Sequence, residues 1–289
     1  MKLTLRRAAA TSVAAALAVL LSACGPSGSD ADGAVRIGVS GADPEWDVLA
    51  EEAKKQGIDV KTVTFDDYQL PNKALADGDI ELNAFQHLAF LSKFNQANHT
   101  DIVPIASTSV APMGLYSLKH KSLADLPDGA RIAIPNDPSN QGRALLVLQE
   151  AELIRVKEKA GIYGTPDDIT DNPKHIKITP VDAQQTPRTL KDTAASVIND
   201  GVAKQAGYTI GQAIFRDDPR SAATRPYVNV IAARAGDRDD EKLRKVVEIY
   251  RSAKVQEAVK KSSGGARYVV DLPRAELQKE LDRLGEQEG

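Results

Sequence analysis

Short apolar runs alternate along this chain with stretches in which apolar residues return every three or four positions. Runs at residues 35–40, 59–65, 82–85, 102–105, 114–118, 131–134, 176–181, 196–198 and 228–232 predict strands. Helical spacing lies between them. Trp46, Leu49, Ala50 and Ala53 fall at i, i+3, i+4 and i+7, as do Leu243, Val246, Val247 and Tyr250. Gly57 stands where the first of these helices should stop. Strands alternating with helices predict an α/β protein with largely parallel sheets. In open sheets of this kind ligands sit beyond the C-terminal ends of the strands. That points to the loops after Ser40, Phe65, Phe85, Ile134, Ile198 and Val230.

The N-terminus says where such a fold would work. Lys2, Arg6 and Arg7 precede an uncharged apolar stretch from Ala8 to Leu21. This is the layout of a secretory signal peptide, and it is shorter than the roughly 20 residues of a spanning helix. It ends in Leu21-Ser22-Ala23-Cys24, which resembles the lipobox of bacterial lipoproteins. The resemblance implies removal of residues 1–23 and lipid on Cys24, the sole cysteine. Residues 24–33, CGPSGSDADG, are small and polar and predict a flexible tether. Several acyl chains on Cys24 would hold the protein firmly to the membrane, where one would not. The expected location is the extracytoplasmic face of the cell membrane. Removing residues 1–23 leaves 266 residues and moves the net charge from −3 to −6. With no basic patch, a nucleic-acid partner is not expected. No disulfide can form within such a chain, so packing must supply its stability.

Two loops are chemically pointed. In FDDYQLPNKALADGD, residues 65–79, Tyr68 follows a strand end and a short helix closes at Gly78. In IPNDPSNQGRALLVLQ, residues 134–149, a strand ends at Ile134 and a helix is expected from Ser139 or Asn140, with Arg143 in its first turn. A helix start and a guanidinium fork together would trap a carboxylate. Spacing alone leaves Arg143 open between that role and a solvated surface position. ELNAFQHLAF, residues 81–90, sets Asn83 and His87 among apolar neighbours. His87 reads either as a core histidine with one backbone partner or as a cleft residue; Phe85 reads as core or pocket, Tyr68 as surface or pocket. Asn83 is expected to bond the backbone of its own loop. Asn199 and Asn229 follow strand-like runs and read as turn-formers or polar contacts.

Enzyme signatures are missing: no GxSxG elbow, P-loop or dinucleotide fingerprint appears in its usual context. His87, His99, His120 and His175 are scattered, so no metal site and no cofactor are expected.

With these residues in view, the chain resembles the NlpA-type methionine-binding lipoproteins, the substrate-binding subunits of methionine ABC importers. The likeness rests on FDDYQLPNKALADGDIELNAFQHLAFL (65–91), PMGLYS (112–117), IAIPNDPSNQGRALLVLQ (132–149), TPRTL (186–190), VINDGVAKQAG (197–207) and PYVNVI (226–231). It implies an α/β, two-lobe, periplasmic-binding-protein-like fold (type II) with a ligand cleft between lobes. Lobe 1 would hold residues 34–110 plus 227–289 and lobe 2 residues 111–226. The implied function is that of a lipid-anchored, monomeric solute-binding protein. It would capture methionine and deliver it to an ABC permease and ATPase complex, without chemistry. The resemblance places Tyr68, Phe85 and His87 around the ligand side chain and Arg143 on its carboxylate. It places Asn199 and Asn229 on the amino-acid head group, with Tyr116 and Asn140 as neighbours. The chain departs from the family at Phe90, usually Tyr, at ADPEWD after the first strand, where a PH pair is common, and at TAAS before VIN. These departures bear on the ligand's identity; the alternative is the same role for another small amino acid, a dipeptide or a related carboxylate.

Overall fold

A computed structural model of the chain describes residues 33–286. The expected signal peptide of residues 1–23, Cys24 and all but the last residue of the tether lie outside the described residues. The path runs through β1 (Val35–Val39), α1 (Pro44–Lys55), β2 (Val60–Thr64), α2 (Leu70–Asp77), β3 (Leu82–Asn83), α3 (Leu88–Asn98), β4 (Ile102–Ser107) and β5 (Ser109–Val110). It continues with β6 (Met113–Tyr116), β7 (Arg131–Pro135), α4 (Pro138–Glu150), β8 (Arg155–Val156), β9 (Ile169–Asp171), β10 (Lys177–Val181), α5 (Thr186–Thr189), β11 (Ala195–Asn199), α6 (Asp200–Gln205) and β12 (Phe215–Arg216). Then come β13 (Val230–Arg234), α7 (Glu241–Tyr250), α8 (Ala253–Ser262), β14 (Tyr268–Val269) and α9 (Arg274–Glu286).

Two five-stranded sheets carry the architecture, in the orders β2-β1-β3-β13-β4 and β10-β7-β11-β6-β12. In the first, β2, β1 and β3 are parallel and β13 runs against both its neighbours. In the second, β10, β7 and β11 are parallel and β6 runs against β11 and β12. Largely parallel sheets therefore need a correction: each carries one reversed strand, in the same fourth place. The reason is topological. β6 and β13 are the first strands of their sheets that the chain forms after crossing from the other sheet. A chain arriving from the cleft must run against strands whose C-terminal ends face the cleft.

Local chemistry sets the helix ends. Gly57 and Gly78 take positive φ, 75° and 84°, where the chain turns out of α1 and α2. α4 begins at Pro138, and Asp137 caps it by accepting the Asn140 N–H. Within α4, Gly142 passes beneath the segment Glu158–Tyr163; a Cβ there would lie 2.0 Å from the Ile162 carbonyl oxygen, so only glycine fits.

The first sheet is buried on both faces. Val35, Ile37, Leu49, Val246, Ile249 and Val255 pack on one side, and Leu88, Leu91, Val230, Leu277 and Leu281 on the other. β13 lies inside the sheet with a core on each face, and its residues alternate between them: Ile231 and Ala233 face one, Val230 and Ala232 the other. The second sheet has a core around Leu115, Ile132, Leu145 and Val197, and a smaller one around Tyr116, Leu190 and Ile198. Two stretches join the sheets, residues 108–112 and 217–229. They are hydrogen-bonded side by side: Thr108 N–H donates to the Asn229 carbonyl at 2.8 Å, and Asn229 N–H to the Ser109 carbonyl at 2.9 Å. β14 pairs with β5 beside them.

Candidate functional site

A cavity of about 370 Å³ lies between the two sheets and takes its lining from both. Its walls follow the strand ends. Ser40, Asp43, Glu45 and Trp46 come after β1, Phe85 to His87 after β3, Asn140 and Arg143 from α4, Asn199 from the end of β11, and Asp200, Lys204 and Gln205 from α6. Asn229 breaks the expected pattern, since it precedes β13 rather than following it. Because β13 is reversed, its beginning, not its end, meets the cavity.

One end is aromatic. Tyr68, Phe85 and Phe90 meet with centroids 5.7–6.1 Å apart in tilted and edge-on arrangements, and the His87 ring stands edge-on to Phe90 at 6.4 Å. Such geometries favour aromatic pairs beyond their buried area. His87 also caps α3: its Nδ1 accepts the Phe90 N–H at 3.1 Å. That bond makes Nδ1 the acceptor, so the neutral ring carries its proton on Nε2, which donates to Asn140 Oδ1 at 3.2 Å. Burial, with the Arg143 guanidinium nearby, pushes the His87 pKa down to about 3. His87 thus resolves as both a buried, neutral cap and a cavity wall.

Asn140 is the junction of the two sheets here. Its Nδ2 donates to the Asp137 carboxylate at 2.9 and 3.0 Å, which fixes the amide's orientation. Its Oδ1 then accepts from both His87 and Asn199 Nδ2, the latter at 2.6 Å. Asn199 Oδ1 is left buried without a partner. Asn229 Nδ2 donates to the Ser109 carbonyl at 3.1 Å, within the crossover pair.

Arg143 differs from expectation in two ways. It sits in the second turn of α4, not the first, and the helix start is already occupied by Asp137. The helix start is therefore no open anion trap. Arg143 is itself buried at 4% exposure. Its Nε and Nη2 donate to Asp217 Oδ2 at 3.0 and 2.8 Å, Nη2 also donates to the Ala111 carbonyl at 2.7 Å, and the plane lies 4.6 Å from the Tyr227 ring centroid. Asp217 Oδ1 in turn accepts the Met113 N–H at 2.7 Å. The guanidinium faces the cavity as half of a neutral pair.

Tyr116 does not line the cavity. It is buried behind it with Leu190, Ile198 and Val202, 6.0 Å from Tyr208, and its hydroxyl has no hydrogen-bond partner. Asn83 is structural, but the backbone it reaches is the Pro71 carbonyl of α2, at 3.4 Å, and its other partners are side chains. It donates to Asn72 Oδ1 at 2.8 Å and accepts from Gln86 at 3.0 Å, closing a buried amide network under the aromatic end. Asn72 and Gln86 stand in the same motif, yet nothing in their spacing marks them.

The other end is ionic and was not legible in the sequence. Arg267 donates to Asp43 Oδ2, Glu45 Oε1 and Asp200 Oδ2, each at 3.1 Å. Lys204 bonds Asp43, and the Gln205 side chain bonds the Ser40 carbonyl. Burial opposes ionisation of Asp43, but Arg267 and Lys204 outweigh it and hold the carboxyl below its ordinary range. Burial, reinforced by Asp43, pushes Glu45 up. No signal marks these five charges, which come from three separate segments. Among the described residues no cluster of three or more His, Cys, Asp or Glu side chains could hold a metal ion. No described helix is long and apolar enough to cross a membrane.

Comparison with known proteins adds a second line of evidence. The profile of the NlpA lipoprotein family matches residues 35–270. The D-methionine-binding lipoprotein MetQ of Salmonella typhimurium is 42% identical over 253 residues, 85% of this chain and 92% of that protein. Among solved structures, protein PG110 of Staphylococcus aureus superposes with a TM-score of 0.85 at 45% identity, covering 86% of this chain and 99% of the other. A nutrient-binding protein of Burkholderia cenocepacia, bound to methionine, superposes with a TM-score of 0.77 at 41% identity, covering 81% and 99%.

Proposed function

The chain belongs to the NlpA lipoprotein family, and from that premise we propose that it is a lipid-anchored solute-binding protein. It captures methionine between two lobes and delivers it to the permease of an ABC importer on the extracytoplasmic face of the membrane. It performs no chemistry on its ligand. The lobes are residues 34–110 with 227–289, built on the first sheet, and residues 111–226, built on the second.

The observation that carries this reading is the juxtaposition of an aromatic end with two head-group contacts of opposite character. Nε and Nη2 of Arg143 are engaged by protein, and its remaining nitrogen, Nη1, donates to the ligand's carboxylate. The unpartnered Oδ1 of Asn199 receives the ammonium. The Arg143–Asp217 pair is neutral, which suits a zwitterion: a ligand with net charge would bring an unmatched charge into a buried site. Tyr68, Phe85 and Phe90 surround the side chain, and aromatic faces and edges favour a thioether sulfur. Asn229 and His87 complete the wall, and Asn140 orients His87 and Asn199 across the lobes.

Titration calorimetry tests the reading. Methionine should bind, and Arg143→Ala should weaken it by about ten- to a hundredfold, the loss of a charge-assisted bond of roughly 1.5–3 kcal/mol. No methionine binding by the parent protein, with another amino acid bound tightly, would replace the ligand. Anchoring is tested separately: Cys24→Ala should release the protein from the membrane fraction or leave it uncleaved, and normal acylation of that variant would exclude the anchor.

A further inference from the structure

We infer that the ionic end of the cavity is a latch between the lobes, in which Arg267 and Lys204 hold the cleft shut through Asp200 and Asp43. The inference rests on the two-lobe capture proposed above and adds a device to it. Its parts divide between the lobes. Asp43, Glu45 and Arg267 belong to the side of the first sheet; Asp200 opens α6 and Lys204 lies in its last turn, on the side of the second. Two ion pairs cross the cleft: Arg267 Nε to Asp200 Oδ2 at 3.1 Å, and Lys204 to Asp43. A third bond, from the Gln205 side chain to the Ser40 carbonyl, crosses beside them.

The charge pattern makes closure favourable. With the lobes apart, Asp43 and Glu45 share one cation, Arg267, while Asp200 and Lys204 face each other one turn apart on α6. Closure brings Lys204 to Asp43 and gives Arg267 a third carboxylate, so the first lobe's surplus negative charge meets a cation. These groups are largely withdrawn from water, where ion pairs are screened least. Arg267 directly precedes β14, which pairs with β5 in the first crossover stretch. The latch is thereby tied to the strands about which the lobes must turn. A group that exists only when the lobes meet interacts with the closed form alone, and that is the condition for shifting a two-state equilibrium.

The protein carries its own probe. Trp46, the only tryptophan, lines the cavity next to Glu45 and stacks on Tyr250 at 5.7 Å. Acrylamide quenching of its fluorescence in the ligand-free, full-length chain reads the latch directly. Asp200→Asn and Lys204→Met lie on the other lobe and reach Trp46 only through closure. Each should roughly double the quenching constant as the closed population falls, and 1 M salt should act in the same direction on the parent. After Arg267→Met, adding Asp200→Asn should change little, because the partner is gone. Methionine affinity should fall by about tenfold in Asp200→Asn, one charge-assisted bond lost. Unchanged quenching in both lobe-2 variants, with native circular dichroism, would overturn the latch whatever the ligand. Raised quenching in a protein that ignores methionine would keep the latch and overturn only the ligand.

Discussion

At one end of the cavity Tyr68, Phe85, Phe90 and His87 lean on each other; at the other Asp43, Glu45 and Asp200 converge on Arg267. The first group belongs wholly to the first sheet's side and lies within 23 residues of sequence, from 68 to 90. Its ring contacts are made within that side, and only His87 reaches across, to Asn140. The second group is drawn from three segments on both sides and takes its arrangement from their meeting. Between the two ends lies Arg143, whose charge is balanced by Asp217 in a buried ion pair. A cavity can thus divide recognition from closure by chemistry: apolar and amide contacts preformed at one end, exchangeable charges at the other.

The strongest way to break this division is to uncover the charge in the middle. Asp217→Ala leaves the Arg143 guanidinium buried without its counterion and the Met113 N–H without its acceptor. Breaking a buried pair in this way costs about 3–5 kcal/mol. Urea unfolding should show a loss of that size, and a loss below about 1 kcal/mol, the ordinary worth of an exposed pair, would mean that Asp217 is not needed to neutralise the guanidinium.

A smaller effect tests the neutrality of the aromatic end. His87 has a folded pKa of about 3 against an ordinary value near 6.5. Between those values the unfolded chain binds a proton that the native protein refuses. Stability contributed by neutral His87 is therefore lost as pH falls through that window and rises with pH across it, by about 1.4 kcal/mol per pH unit. The difference in unfolding free energy between the parent and His87→Gln should carry this slope between pH 4 and 6. A flat difference would mean that His87 is protonated in the native state.

The smallest effect sharpens the division. A ring–sulfur contact contributes roughly 0.3–1.5 kcal/mol. Phe85→Ala should cost methionine about that much and leave alanine, whose side chain does not reach the ring, nearly unchanged. Equal losses for both ligands in calorimetry would place Phe85 among the head-group contacts instead.

How legible each end was follows from how it is built. Apolar periodicity gave nine of the ten strands of the two large sheets, all but the two-residue β12, and the first helix, because β1 and α1 bury residues at the spacings their own geometry requires. Gly57 and Gly78 were readable since few other residues accept a left-handed turn. The aromatic end was readable because its parts are close in sequence. The reversed strands were not, because direction in a sheet is decided by where the chain comes from, which local pattern does not record. Arg143, singled out by its motif, does line the cavity, but Asp217, 74 residues away, was invisible as its charge-balancing partner. Tyr116 matched a motif and still fell behind the wall, since alternate residues of β6 face opposite sides of its sheet. Arg267 and its carboxylates looked like ordinary surface charges, which is what they would be if the lobes stood apart.

In its sheet β4 pairs with β13 and no other strand, and all six of its residues are buried. A chain that leaves the ribosome or the export channel from its N-terminus offers β4 more than a hundred residues before its partner arrives. The second sheet needs nothing beyond Arg216. It can therefore be complete while the first is still a parallel fragment with an unpaired edge at β3, the kind of edge that invites aggregation. Only when residue 234 emerges can β13 slide between β3 and β4 and bury both. The lobe that begins first is finished last, and any chaperone that escorts this protein must hold it open until then.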